Sequence, residues 1–195
     1  MNADDLARFL RANPQFFDQN PELLESIHVP HPHGGRAIPL AELIKYAEDN
    51  DQISEKVHRL SVALTGARDF PAFVRSLYFH LREDFAVPHV VLRVWGKAVP
   101  ADLDEAIPVS EAQREQASLM GSPQCGPAIG NAFAAWFPEA SEHIRSLALV
   151  PLGDTAVFGL LALASEDPRR FYPDMGTLYL RRIGELCAAG VTARL

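Results

Sequence analysis

Two apolar runs about a glycine turn constrain this chain more than any other feature. Residues 146–152 read Ser-Leu-Ala-Leu-Val-Pro-Leu, Gly153-Asp154 give a turn signal, and residues 156–164 read Ala-Val-Phe-Gly-Leu-Leu-Ala-Leu-Ala. Short apolar runs on either side of a turn predict a β-hairpin buried on at least one face. Ser165-Glu166-Asp167-Pro168 breaks the pattern, and Phe171-Tyr172-Pro173-Asp174 opens a helical pattern that runs to about Val191. Proline suits the first turn of a helix, where no N–H is needed, so Pro173 is placed there. The predicted unit is a hairpin, a loop and a helix that covers the sheet.

The order Val150-Pro151-Leu152, Gly159-Leu160-Leu161, Pro168, Phe171 and a helix from about Asp174 resembles the end of a GAF domain. GAF domains are small-molecule sensor modules related to PAS domains. The resemblance implies an α/β (α+β) fold: a GAF/PAS-like antiparallel sheet flanked by helices. Short N-terminal helices and a long connecting helix precede it here. The expected organisation is a helical segment and loop at 1–39, a linker helix at 40–67, and the GAF-like domain at 68–195.

The totals narrow the function. The chain has 195 residues, 48% hydrophobic and 22% charged, which is a globular composition. A net charge of −7 with no Lys/Arg cluster argues against direct binding of nucleic acid or of an anionic membrane, since both need a basic surface. Cys125 and Cys187 are the only cysteines, too few for a disulfide framework or a four-cysteine metal site. The acidic N-terminus lacks the layout of a signal peptide, and no apolar run approaches a membrane span. A cytoplasmic protein is expected.

Near the N-terminus, Asn13-Pro14-Gln15-Phe16-Phe17 is echoed by Asn20-Pro21-Glu22-Leu23-Leu24. Asn caps helices well and Pro opens them well, so three short helices are expected at 4–12, 14–18 and 21–27. Residues 28–39, rich in Pro and Gly, read as a loop. Its three histidines, His28, His31 and His33, lack a nearby carboxylate or cysteine, so the metal-site reading is weaker than a structural one. Here a second resemblance enters. Asn13-Pro14-x-x-Phe17, Pro21-Glu22-Leu23-Leu24, Pro30-His31 and Gly34-Gly35, with Cys125-Gly126 and Asp167-Pro168-x-Arg170-Phe171, resemble a bacterial family of uncharacterised proteins. That family joins such a segment to a helix and a GAF-like domain, and carries no established activity to transfer.

Residues 40–67 read as one long helix. Leu43, Asn50, Val57 and Leu64 recur every seven residues, as do Tyr46, Ile53 and Leu60. A heptad seam with a single Asn is the pattern of a dimer helix in fixed register, and a homodimer is expected through these seven residues. The rival is a helix packed within its own chain. A second helix is expected at 71–86, a strand at 88–95, a short strand at 105–109 and a polar helix at 110–120. Residues 124–137, Gln-Cys-Gly-Pro-Ala-Ile-Gly-Asn-Ala-Phe-Ala-Ala-Trp-Phe, are expected to form a strand at Cys125 and a helix from about Asn131.

The GAF resemblance implies that this last region lies over the sheet and lines a ligand pocket. Cys125, Gly126, Phe133 and Trp136 are then the pocket candidates, with Trp95 and Phe158 as sheet-side walls. The rival is that these aromatics are ordinary core. No hydrolase, metalloprotease or EF-hand motif is present, and no motif identifies a cofactor or metal. Cys125 is the one plausible nucleophile, with no sequence-near base to activate it. The expected function is a non-catalytic sensory or regulatory module that binds a small molecule and acts through dimer helices on a separate protein. The alternatives are an interaction scaffold without a ligand and, behind it, a cysteine-dependent redox enzyme.

Overall fold

The computed structural model describes residues 2–29, 37–153 and 155–195. His31, His33, the Gly34-Gly35 pair and Asp154 lie outside the described residues. The chain divides into two compact units, Met1–Ile53 and Ser54–Leu195.

The first unit holds α1 (Ala3–Ala12), α2 (Phe16–Gln19) and α3 (Glu22–Ser26). Asn2 caps α1 with its side-chain oxygen while Asp5 reaches back to the Asn2 N–H, a complete capping box. Asn13 and Asn20, expected as N-caps, instead donate their side-chain amides back to the Phe9 and Phe16 carbonyls and close the preceding helices. The stretch read as a loop carries paired strands at its two ends, β1 (His28–Val29) against β2 (Ile38–Pro39), antiparallel. The long helix α4 (Leu40–Gly66) follows without a break, and the division between units falls within it.

The second unit is built on a four-stranded antiparallel sheet: β3 (His89–Val94), β4 (Gln124–Pro127), β5 (Ser146–Leu152) and β6 (Gly159–Ser165), in spatial order β3-β6-β5-β4. The hairpin of the sequence reading is β5–β6, registered Leu152 to Gly159 and Ser146 to Ser165. Its loop runs from Gly153 to Phe158, longer than a tight turn. Gly153 has φ +118° there, and a Cβ would stand 2.2 Å from the Ala156 carbonyl oxygen, so only glycine fits.

Both central strands are buried on both faces, which is why they read as continuous apolar runs rather than alternating ones. One face packs on α5 (Phe70–Glu83) and α7 (Leu178–Thr192). The other packs on a layer made by α6 (Glu111–Ser118) and the irregular chain from Ala128 to Ile144. Leu147, Leu149, Leu160, Ala162 and Ala164 alternate onto that second face.

Three elements differ from expectation. Residues 105–109 form no strand; Asp104–Ala106 is a 3-10 turn. That turn delivers Glu105, 3% exposed, to the Tyr78 hydroxyl, which donates to it at 2.7 Å and accepts from the Leu92 N–H at 3.0 Å. Arg93 donates to the Leu92 carbonyl at 3.2 Å. Side chains thus satisfy the Leu92 backbone groups on the β3 edge, and no fifth strand is needed there. The helix from Asn131 shrinks to a 3-10 turn at Ala134–Trp136, because Pro138 forces Phe137 out of helical geometry (φ −117°, ψ 65°). The closing helix begins at Leu178, so Pro173 lies ahead of it and outside its first turn. Gly176, a poor helix residue, sits between the two.

Candidate functional site

Three of the six residues implied as pocket walls come together, inside packed core. Phe133 is 0% exposed and meets the Trp136 ring edge-to-face with centroids 5.1 Å apart. Both join a cluster with Met120, Phe137 and Ile144 above the sheet residues, and Trp95 packs against it. Trp95 Nε1 donates to the Val157 carbonyl at 3.0 Å, which satisfies the indole. Arg93 lies 5.8 Å from the Trp136 ring centre. These side chains fill the region over the sheet. Phe158 stands apart from them, half-buried, with Lys97 Nζ 5.1 Å from its ring centre.

Cys125 and Gly126 lie on β4 at the far edge of the sheet, in a hollow of about 280 Å³ shared with Gln116 and Asn131. Burial pushes the Cys125 thiol up to about 11. The same cause pushes Cys187, enclosed in α7, up to about 12. Both are free thiols and both are held protonated at neutral pH, the reverse of an activated nucleophile.

A larger hollow, about 640 Å³, lies beside α7 at the end of β5. Val150 and Met120 line it, with Arg181, Gly184, Glu185 and Ala188 from α7. Sequence reasoning missed this place. The available signal was Gly184, a glycine in a helix interior, which costs about 1 kcal/mol against Ala and asks for a reason. The reason is close approach: a Cβ at Gly184 would stand 2.6 Å from Val150 Cγ1. Arg181 and Glu185 fall one helical turn apart and put a cation and an anion on the same rim.

The opposite end of α7 is fastened to α4. Arg194 donates to the carbonyls of Leu64 at 2.8 Å, Ala67 at 2.7 Å and Gly190 at 2.9 Å. It covers the Phe73 ring, 5.1 Å away. One guanidinium therefore closes the orphan carbonyls at the C-terminus of α4 and holds them against α7. On α4 itself, Val57, Leu60 and Leu64 are buried within their own chain. Leu43 and Ile53 are partly exposed, and Tyr46 and Asn50 are exposed.

Two polar pairs lie elsewhere. His89 Nε2 meets Glu166 Oε1 at 2.6 Å, and His80 Nδ1 meets Asp84 Oδ2 at 2.6 Å with Arg59 3.6 Å from Asp84. The histidine hydrogen bond is the leading cause that lowers each carboxylate below its ordinary value. Among the described residues no group of three or more His, Cys, Asp or Glu is placed to hold a metal ion. No helix among them is long and apolar enough to cross a membrane.

The chain belongs to the family described as protein of unknown function, DUF484, whose model matches residues 36–192. It is similar to the uncharacterized protein YigA of Salmonella typhimurium, 24% identical over 200 residues, covering 90% of this chain and 84% of that one. Its fold is similar to the GAF domain of A. aeolicus nlh2, crystallised in an inactive state, with a TM-score of 0.54 and 16% identity over 75% of this chain and 99% of that one. The fold is therefore GAF-like, an antiparallel sheet flanked by helices.

Proposed function

We propose that this DUF484 family member is a non-catalytic regulatory module. In this reading it binds a small molecule in the hollow beside α7, acts as a homodimer, and passes the bound state to a separate protein. The observation that carries the reading is the link from hollow to helix. The hollow is lined from α7 by Arg181, Gly184, Glu185 and Ala188, and the far end of that same helix grips α4 through Arg194. A ligand that favours one seating of α7 shifts the population of helix arrangements by its differential affinity for them. At about 640 Å³ the hollow falls within the range of small-molecule sites, roughly 300–1,000 Å³. The Arg181–Glu185 rim suits a polar molecule. The homodimer rests on the part of the α4 spacing that its own chain does not bury, Leu43, Tyr46, Asn50 and Ile53, and a cytoplasmic setting suits two free thiols.

A second reading, an interaction scaffold without a ligand, is favoured by one observation: Phe133, Trp136 and Trp95 occupy the space over the sheet. Thiol redox chemistry ranks behind both, since burial raises Cys125 and Cys187 alike. A thermal-shift panel of nucleotides, amino acids and tetrapyrroles separates the readings, run on the natural chain and on Ala188→Trp, which fills the hollow. A saturable shift that the variant loses supports the sensor; a ligand at a hundred times its Kd adds about 2.7 kcal/mol of stability. A flat panel on both proteins moves the conclusion to the scaffold.

A further inference from the structure

The hollow beside α7 carries two charges that the fold does not use. Among its described lining residues Arg181 is the only cation and Glu185 the only anion. Neither side chain takes a hydrogen bond, ion pair or ring contact among the described residues. The neighbouring guanidinium groups are engaged. Arg182 lies 5.4 Å from the Tyr179 ring centre, and Arg194 holds the carbonyls of Leu64 and Ala67.

The order of the two residues explains why they do not neutralise each other. A helix gains from an acidic residue placed four positions before a basic one, and less from the reverse. Here the basic residue comes first. Both side chains therefore stand exposed on the rim, with their charges available to a bound molecule.

A molecule that satisfies both must carry both signs. A guanidinium takes a carboxylate through two parallel N–H···O bonds. The Glu185 carboxylate accepts from an ammonium group. Residues four apart on a helix have their Cβ atoms about 5–6 Å apart, so the two charges of the ligand must also lie close together. An α-amino acid holds its carboxylate and its ammonium on one carbon and meets that condition. A dianion does not, because its second charge would face Glu185 with no further cation to take it. The rest of the described wall is uncharged: Met120 and Val150 are apolar, and Ser122 and Thr155 bring hydroxyls. A charged side chain there would give up water without gaining a partner.

We infer that the hollow takes an α-amino acid with an uncharged side chain, its carboxylate on Arg181 and its ammonium on Glu185. This rests on the small-molecule reading proposed above and adds the chemical class of the ligand.

Isothermal titration calorimetry on the full chain tests the inference, with the standard L-amino acids as probes, each also as its carboxyl amide and its N-acetyl form. Arg181→Gln and Glu185→Gln each remove one charge from an exposed position of α7 at little cost to the helix. Ala188→Trp fills the hollow. The expected result is saturable binding of at least one amino acid with a neutral side chain, lost in Ala188→Trp. Each charge removal should weaken that amino acid by about tenfold or more. Its amide should bind the natural chain as weakly as the free amino acid binds Arg181→Gln, and its N-acetyl form as weakly as the free amino acid binds Glu185→Gln. Either charge removal without effect, on a ligand that Ala188→Trp still expels, overturns the assignment and leaves the small-molecule reading standing. Tightest binding by glutamate or lysine does the same. An amino acid that binds Ala188→Trp undiminished overturns both. No binding by any amino acid also overturns the inference, while a nucleotide or tetrapyrrole shift that Ala188→Trp loses keeps the small-molecule reading.

Discussion

Residues 1–53 and 54–195 are similar kinds of sequence with opposite outcomes. Each has capped helices and aromatic residues at helical spacing. In the second unit Phe73 and Phe133 are fully enclosed; in the first, Phe16 and Phe17 are only half covered. The difference is the sheet. Strands β5 and β6 offer two apolar faces, so helices and loops far apart in sequence find a common surface. Among its described residues the first unit has a ribbon of two-residue strands in place of such a sheet. Apolar residues become core only where long-range pairing gives them something to cover.

The sharpest way to break this comparison is to make the same truncation in both units. Phe133→Ala should cost about 3–5 kcal/mol, the loss for an enclosed aromatic, read as a fall in the denaturant midpoint. Phe16→Ala should cost about a third of that, because Phe16 is only half covered. Equal losses would erase the distinction between the units.

Gly190→Ala comes next. A Cβ there would lie 2.1 Å from Phe73 Cε2, inside the packed face between α7 and α5. Overpacking should cost about 1–3 kcal/mol and outweigh the helix-propensity gain. A more stable variant in thermal unfolding would mean that this core is looser than its distances indicate.

A pH series probes the second unit alone. Burial raises Cys187 from 9.0 to about 12 and Cys125 from 9.0 to about 11. The unfolded chain releases these protons first, so the folded state binds more protons between pH 9 and those values. Stability should be flat from this source below pH 9 and fall above it, more steeply than in Cys187→Ala. Equal slopes for the two proteins would show that Cys187 is open to water. The smallest effect is expected for Glu166→Gln, whose partner His89 lies on a half-open edge; the loss should stay within about 0–1 kcal/mol by chemical denaturation.

How much was legible depends on how local the cause was. The strands β5 and β6, and the helices α4 and α5, were readable because apolar spacing alone specifies them. The strand at Cys125 was found too. The missing strand at 105–109 was not readable, since what replaces it is a buried Glu105–Tyr78 pair joining residues 27 apart in the chain. The aromatic candidates Phe133, Trp136 and Trp95 were gathered as one group. Whether such a group encloses space or fills it depends on volumes contributed by Met120, Phe137 and Ile144, which no spacing rule supplies.

The sequence by itself determined the hairpin and the long helix with its seven-residue spacing, and its motifs resembled those of a GAF domain. The first two follow from periodicity and turn chemistry, which act over a few residues. Only the tertiary structure decided where the space is. It packed aromatic side chains over the sheet, left a hollow beside α7, and buried Val57, Leu60 and Leu64 of the α4 spacing in their own chain. Empty volume and burial are properties of surfaces brought together from distant parts of the chain, and packing sets them once the sheet has formed.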